Sequence, residues 1–214
     1  MRYPVLSYIS VYSPILPILI CLAQWKKLNR ELKILFFLLS LGFITDFLSL
    51  LHILNARYLP YLAHFYVVSE FILVMMIITL WQTSKKMMIA INSIIIAYVI
   101  FWIIAKLFFE PINRPYSLTG SISHVIVTLA AGYSLFIVFE QHSNALVKDF
   151  RFWILISFIV YFAGALLPVA LGEILYNYSS AVLHMGWSIT WTLTIVSSIL
   201  FSIGLLCHRM QVKY

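Results

Sequence analysis

Charge is scarce in this chain: only 10% of its 214 residues are Asp, Glu, Lys or Arg, and seven are acidic. Soluble domains carry about 25% charged residues, so a water-soluble globule is excluded. Cysteine is nearly absent. Cys21 and Cys207 are the two present. Both fall near the face predicted to be cytoplasmic, where thiols stay reduced, so no disulfide is expected. HExxH and HxxxH, which would set two metal ligands on one helix face, do not occur. The first apolar run lacks a basic start and a small-residue cleavage site, so it reads as a span and not as a removable signal peptide. Polar stretches long enough for a soluble domain are missing, and one domain is expected over residues 1–214.

What is present is hydrophobic sequence, 63% of the chain. A helix crosses the hydrocarbon core with about 20 apolar residues. Seven runs qualify, at 5–25, 34–54, 60–81, 88–109, 120–140, 152–174 and 181–207. They do not alternate as barrel strands do, and backbone groups in lipid must be satisfied internally. The predicted fold class is therefore all-α, a polytopic membrane bundle of seven transmembrane helices. Short polar connections such as "KKLNRELK", "NARYLP" and "QTSKK" separate the runs and make consecutive helices antiparallel neighbours.

Orientation follows from the basic residues. Lys26, Lys27, Arg30, Lys33, Lys85, Lys86, Lys148, Arg151, Arg209 and Lys213 share one side, while Arg2, Arg57, Lys106 and Arg114 share the other. Lys and Arg favour the cytoplasmic side. This predicts an N-terminus outside, a cytoplasmic C-terminus and a multi-pass protein of the cell inner membrane. The net charge of +7 is thereby topological and does not predict nucleic acid as a partner. Membrane lipid is the certain surrounding.

Ionisable residues inside the spans are few, and such residues mark functional sites by default. "SLGFITDFLSLLH" carries Asp46 and His52, and "HFYVVSEFIL" carries His64, Tyr66 and Glu70. At about 1.5 Å per residue, Asp46 and Glu70 reach nearly the same depth on neighbouring helices. Two close carboxyls would titrate as a coupled pair sharing a proton. The structural alternative is a hydrogen-bonded pair that only joins helices. Gly42, Asp46 and Ser49 share one helical face, as do Tyr66 and Glu70, as do Ser121, His124 and Thr128, and as do His184, Trp187, Ser188 and Trp191. If these faces converge, they enclose an aromatic-walled polar cavity that opens outward. Asp46, Glu70, His124, His184, Tyr66, Trp187, Trp191, His64 and His52 are its candidate ligand- or proton-binding residues. No cofactor and no catalytic residue is assigned. Singly, each histidine is a polar residue packed between helices, and the two tryptophans are interface packing.

Family likenesses add to this reading. Retinal rhodopsins need a lysine in the seventh helix, and none precedes Lys213 there. Ser40, Asp46, His52 and His184 resemble part of the zinc set of the alkaline-ceramidase and adiponectin-receptor superfamily. That likeness implies a metal-dependent hydrolase of lipid-like substrates, but Ser188 stands where its second helix-seven histidine belongs. The segments "ELKILFFLLSLGFITDFLS", "HFYVVSEFIL", "DFRFWILISFIVYFAGALL" and "LHMGWSITWTL" resemble a group of small seven-helix membrane proteins of Bacteroidetes-type bacteria. This resemblance covers most of the chain and implies a signalling association, with no chemistry attached. The leading expectation is a sensory or receptor-like protein that binds a small ligand, ion or proton and signals to a cytoplasmic-side partner. A hydrolase and a small-solute transporter are the alternatives. The transporter needs a polar path through the inner half, where ionisable residues are almost absent.

Overall fold

The computed structural model describes residues 4–50, 59–113, 117–141, 146–174 and 180–211, with backbone alone at 59, 180–184 and 211. Among them regular structure is entirely helical. The helices are α1 (Val5–Tyr12), α2 (Ile15–Ala23), α3 (Arg30–Leu50), α4 (Leu59–Leu80), α5 (Lys85–Phe108), α6 (Ser117–Gln141), α7 (Phe150–Ala170) and α8 (Ser180–Gln211). Seven segments are long and apolar enough to cross a membrane, α1 and α2 together forming the first. The chain is a multi-pass helical bundle.

The first span differs from the continuous helix expected over residues 5–25. It breaks at Ser13–Pro14 because Pro14 has no N–H to offer the Ser10 carbonyl. The Ser13 hydroxyl donates to that carbonyl instead, at 2.8 Å. Pro17 likewise leaves the Ser13 carbonyl without its regular donor, and Leu16 N–H takes it at 3.4 Å. Side-chain hydroxyls and tightened turns are how a membrane helix accommodates proline. Near the other end of the chain, α7 runs through Pro168 for two further residues before it stops.

Helices also begin earlier than hydropathy alone suggests. Arg30 and Lys33 lie in the first turn of α3, and Lys85 and Lys86 start α5. Long basic side chains reach the interface from within a helical turn, so charge need not end the helix. Asp149 caps α7, accepting Arg151 N–H at 2.9 Å, and the Arg151 guanidinium returns to the same carboxylate at 2.7 Å.

The helices close into a ring. α3 packs on α4, α4 on α5 and α6, α6 on α7, and α7 on α8, while α8 returns to α1 and α2 beside α3. α4 is the most buried span and α5 the least. On α5 the buried residues Ile91, Tyr98 and Ala105 recur every seventh position. That spacing makes a single stripe on a helix, and Ile89, Ile96 and Ile103 on its other faces are exposed where lipid would lie. At one end of the ring, the His208 ring nitrogen meets the Lys27 carbonyl at 3.2 Å and stacks edge-on against Phe150, which meets Trp81. The described basic residues of the α2–α3, α4–α5 and α6–α7 connections gather at this end.

Candidate functional site

A cavity of about 70 Å³ lies between α1–α2, α3, α4, α7 and α8. Its walls come from the middle of each helix: Pro14, Leu38 to Asp46, Tyr66 to Glu70, Phe158 to Phe162, and Thr194 to Phe201. Glu70 stands near the middle of α4, while Asp46 lies toward the described end of α3. Glu70 is buried, at 5% exposure, and Asp46 is exposed while lining the same cavity.

The local sequence explains the geometry. Tyr66 and Glu70 are four apart on α4, one turn along the same face. The Tyr66 hydroxyl donates to Glu70 Oε1 at 2.7 Å. Across from them stands Gly42 on α3. A Cβ built there would meet the Tyr66 hydroxyl oxygen at 3.2 Å, so glycine permits the close approach. Gly42 and Asp46 are again one turn apart, which brings both onto the cavity wall.

Neither carboxyl has a cationic partner among the described residues. Lys106, in the last turn of α5, is engaged elsewhere. It pairs with Glu110, and its ammonium also donates to the Thr119 hydroxyl at 3.0 Å. Glu110 in turn accepts Leu118 N–H at 2.7 Å and the Thr119 hydroxyl at 2.6 Å, so it caps α6 from eight residues away. Tyr98 joins the same cluster through the Thr119 carbonyl at 3.1 Å. Sequence reading counted Lys106 among the outer basic residues. The fold instead buries it against a loop carboxylate, a pairing that no local spacing announces beyond the four-residue step from Lys106 to Glu110.

On α8 the cavity wall is Thr194, Ser197, Ser198 and Phe201. These were not among the candidates, although steps of three and four in "TIVSSILF" were the available signal. Trp187 and Trp191 lie seven residues before Thr194 and Ser198, on the same helical face. They stand two turns nearer the α7–α8 end and do not line the cavity. The wall hydroxyls have their hydrogens committed. Thr194 donates to the Thr190 carbonyl at 3.0 Å and Ser197 to the Ser157 carbonyl at 3.4 Å. Ser13 and Ser198 meet at 3.1 Å, and because the Ser13 hydrogen goes to Ser10, Ser198 is the donor. What these groups turn to the cavity is lone pairs.

The other candidates are dispersed. His124 is buried on α6, 3.3 Å from the Ser123 hydroxyl, with its ring edge-on to Phe162 and tilted against Tyr161. Both of those aromatics line the cavity, so His124 sits one layer behind its wall. His64 is fully buried on α4 and does not reach the cavity. His52 lies outside the described residues, and so does the side chain of His184. Among the described residues no three His, Cys, Asp or Glu side chains converge as a metal site would require. The inner half is richer in buried hydroxyl and amide groups than expected, with Ser134, Ser202 and Gln82 among them. Gln82 donates to Ser134 at 2.9 Å and so joins the end of α4 to α6, while Ser202 donates to the Ser198 carbonyl of its own helix at 2.8 Å.

Fold and cavity together define a seven-span membrane bundle with an acidic, oxygen-lined chamber at its centre. No protein-family model, curated protein or solved structure matches the chain.

Proposed function

We propose that this protein is a receptor-like sensor of the bacterial inner membrane. It binds a proton or small cation in the Asp46–Glu70 cavity and signals to a partner at the basic, cytoplasmic ends of the helices. One observation carries the reading: two carboxyls share a mid-bundle cavity, and neither has a cationic partner among the described residues. Intramembrane ionisable groups normally pair with one another, as Lys106 and Glu110 do. A pair of acids with no cationic partner among the described residues suits a positively charged guest. An anionic ligand does not suit this lining, which among the described residues has two carboxyls and no side-chain nitrogen.

The volume narrows the ligand. A water needs about 10–15 Å³ of such space, so the cavity offers roughly five water-sized positions. A sugar or lipid headgroup does not fit, whereas an ion with a few waters does. Occupancy signals only if it favours one arrangement of the bundle. The elements placed to respond are α3 and α4, which carry the acids, and the broken first span, which reaches α8 through Ser13 and Ser198. The likeness to small seven-helix proteins with a signalling association agrees with this reading.

The test uses liposomes and an environment-sensitive fluorophore on a cysteine introduced at Lys86. Fluorescence should respond to pH or to added cations, and Asp46→Asn or Glu70→Gln should abolish the response. An unchanged response in both variants would reject the proposal.

A further inference from the structure

We propose that the Asp46–Glu70 cavity is a site for a single hard monovalent cation, sodium, taken up in exchange for a proton. The inference rests on the reading of this cavity as a proton or cation site, and it adds the second occupant.

The donor chemistry comes first. Among the described residues no lining side chain carries nitrogen or sulfur; the polar groups are two carboxyls and the hydroxyls of tyrosine, serine and threonine. Oxygen-only lining suits hard cations, while zinc and copper favour imidazole and thiolate. The orientation of the donors is the second, independent observation. Tyr66, Thr194, Ser197 and Ser198 each commit a hydroxyl hydrogen to another oxygen. The lone pairs that remain are ligands for a cation and repel an anion. Glu70 is 95% buried by its 5% exposure, with Oε1 held by Tyr66 and Oε2 without a partner among the described residues.

Charge and size choose among hard cations. Two ionised carboxyls would leave two uncompensated charges deep in the membrane, which is costly. With one of the two carboxyls kept protonated, the one remaining charge matches a monovalent ion. A divalent ion would leave an uncompensated positive charge at a site with one ionised carboxyl, which a monovalent ion does not. Before the exchange both carboxyls are protonated and the site is neutral. One carboxyl O–H bond then breaks, its proton passes to solvent and sodium takes its place, while the other carboxyl keeps its proton, so the site is neutral before and after. The titratable groups facing the pair are Asp46 itself from α3, Tyr66 from α4 and Tyr161 from α7. Tyr98 of α5 and His124 of α6 stand behind the wall, and among the described residues α1, α2 and α8 contribute none to the lining.

The experiment titrates purified full-length protein in detergent micelles with NaCl, in weak buffer and at ionic strength held constant with choline chloride. A pH dye reads proton release and equilibrium dialysis reads retained radioactive sodium. Saturable release that parallels sodium retention is expected. Asp46→Asn and Glu70→Gln should each abolish both signals. Thr194→Val keeps side-chain shape and removes one ligand, so it should weaken sodium binding about tenfold, or about 1.4 kcal/mol. Release with choline or calcium but not sodium overturns the proposal, as does an unchanged sodium affinity in Thr194→Val. Infrared spectra of the same samples separate the two levels of the argument. A carboxyl band that titrates with pH and vanishes in Asp46→Asn but ignores sodium leaves the proton reading standing and removes the sodium site. The absence of any such band removes both.

Discussion

Tyr66 holds Glu70 by a 2.7 Å hydrogen bond one helical turn away, and Gly42 on the facing helix leaves that hydroxyl its space. A sequence-local pair thus depends on a sequence-distant glycine. Removing the hydroxyl with Tyr66→Phe takes away the one hydrogen bond described for Glu70. Bonds to ionisable groups contribute about 1.5–3 kcal/mol. Equilibrium unfolding in mixed micelles should show a loss in that range, together with weaker sodium binding. A variant as stable as the parent, binding sodium equally well, would show that the bond does not organise the site.

Gly42→Ala tests the close approach itself. Its Cβ would lie 3.2 Å from the Tyr66 oxygen, so Tyr66 must give by a few tenths of an ångström. The expected result is a modest change in stability but a clear drop in proton release on sodium addition. Gly42→Val should deepen the drop by filling the cavity. The idea fails if both variants release protons as the parent does.

The α7–α8 seam makes a separate prediction. A Cβ at Gly164 would come within 2.7 Å of both terminal methyls of Leu193. Overpacking of this kind typically costs about 1–3 kcal/mol, and Leu193 can turn aside, so Gly164→Ala belongs at the lower end. Adding Leu193→Ala should recover part of the loss in a double-mutant cycle. Strict additivity of the two changes would argue against contact between them.

The Lys106–Glu110–Thr119 cluster predicts an order of severity. Lys106→Met leaves Glu110 its Leu118 and Thr119 donors. Glu110→Ala strands the Lys106 charge and uncaps α6 together. Breaking one side of a buried pair costs about 3–5 kcal/mol. Glu110→Ala should therefore be the worse single change, and Lys106→Met with Glu110→Leu should be milder than Glu110→Ala alone. Thermal unfolding of the three proteins settles the order.

Hydropathy made the seven spans legible, and the four-residue steps from Gly42 to Asp46 and from Tyr66 to Glu70 marked two walls of the cavity. Depth reckoning brought the carboxyls level because helix rise is constant. Of the four candidate histidines, the two whose side chains are described stand off the cavity wall. They share an end of the bundle in sequence, yet His124 stands behind Tyr161 and Phe162, and His64 does not reach the cavity. Ionisable type drew attention to them, while the plain hydroxyls of α8 supplied the wall. The four-residue step from Lys106 to Glu110 was a local signal, but that Glu110 also caps α6 was not legible, because the fold alone brings Leu118 and Thr119 to it.

The sequence by itself determined that this chain is a bundle of membrane-crossing helices, since about 20 apolar residues in lipid have little choice but to form a helix. It also determined which residues share a face along each helix, since the helical period is fixed. Only the tertiary structure decided which faces meet. Lipid is as apolar as a leucine face, so helix contacts are selected by close fit and by hydrogen bonds between distant residues. Gly42 under Tyr66, Ser13 against Ser198 and Gly164 beside Leu193 are such contacts. They bring Asp46 and Glu70 to one cavity and leave both acids without a described countercharge.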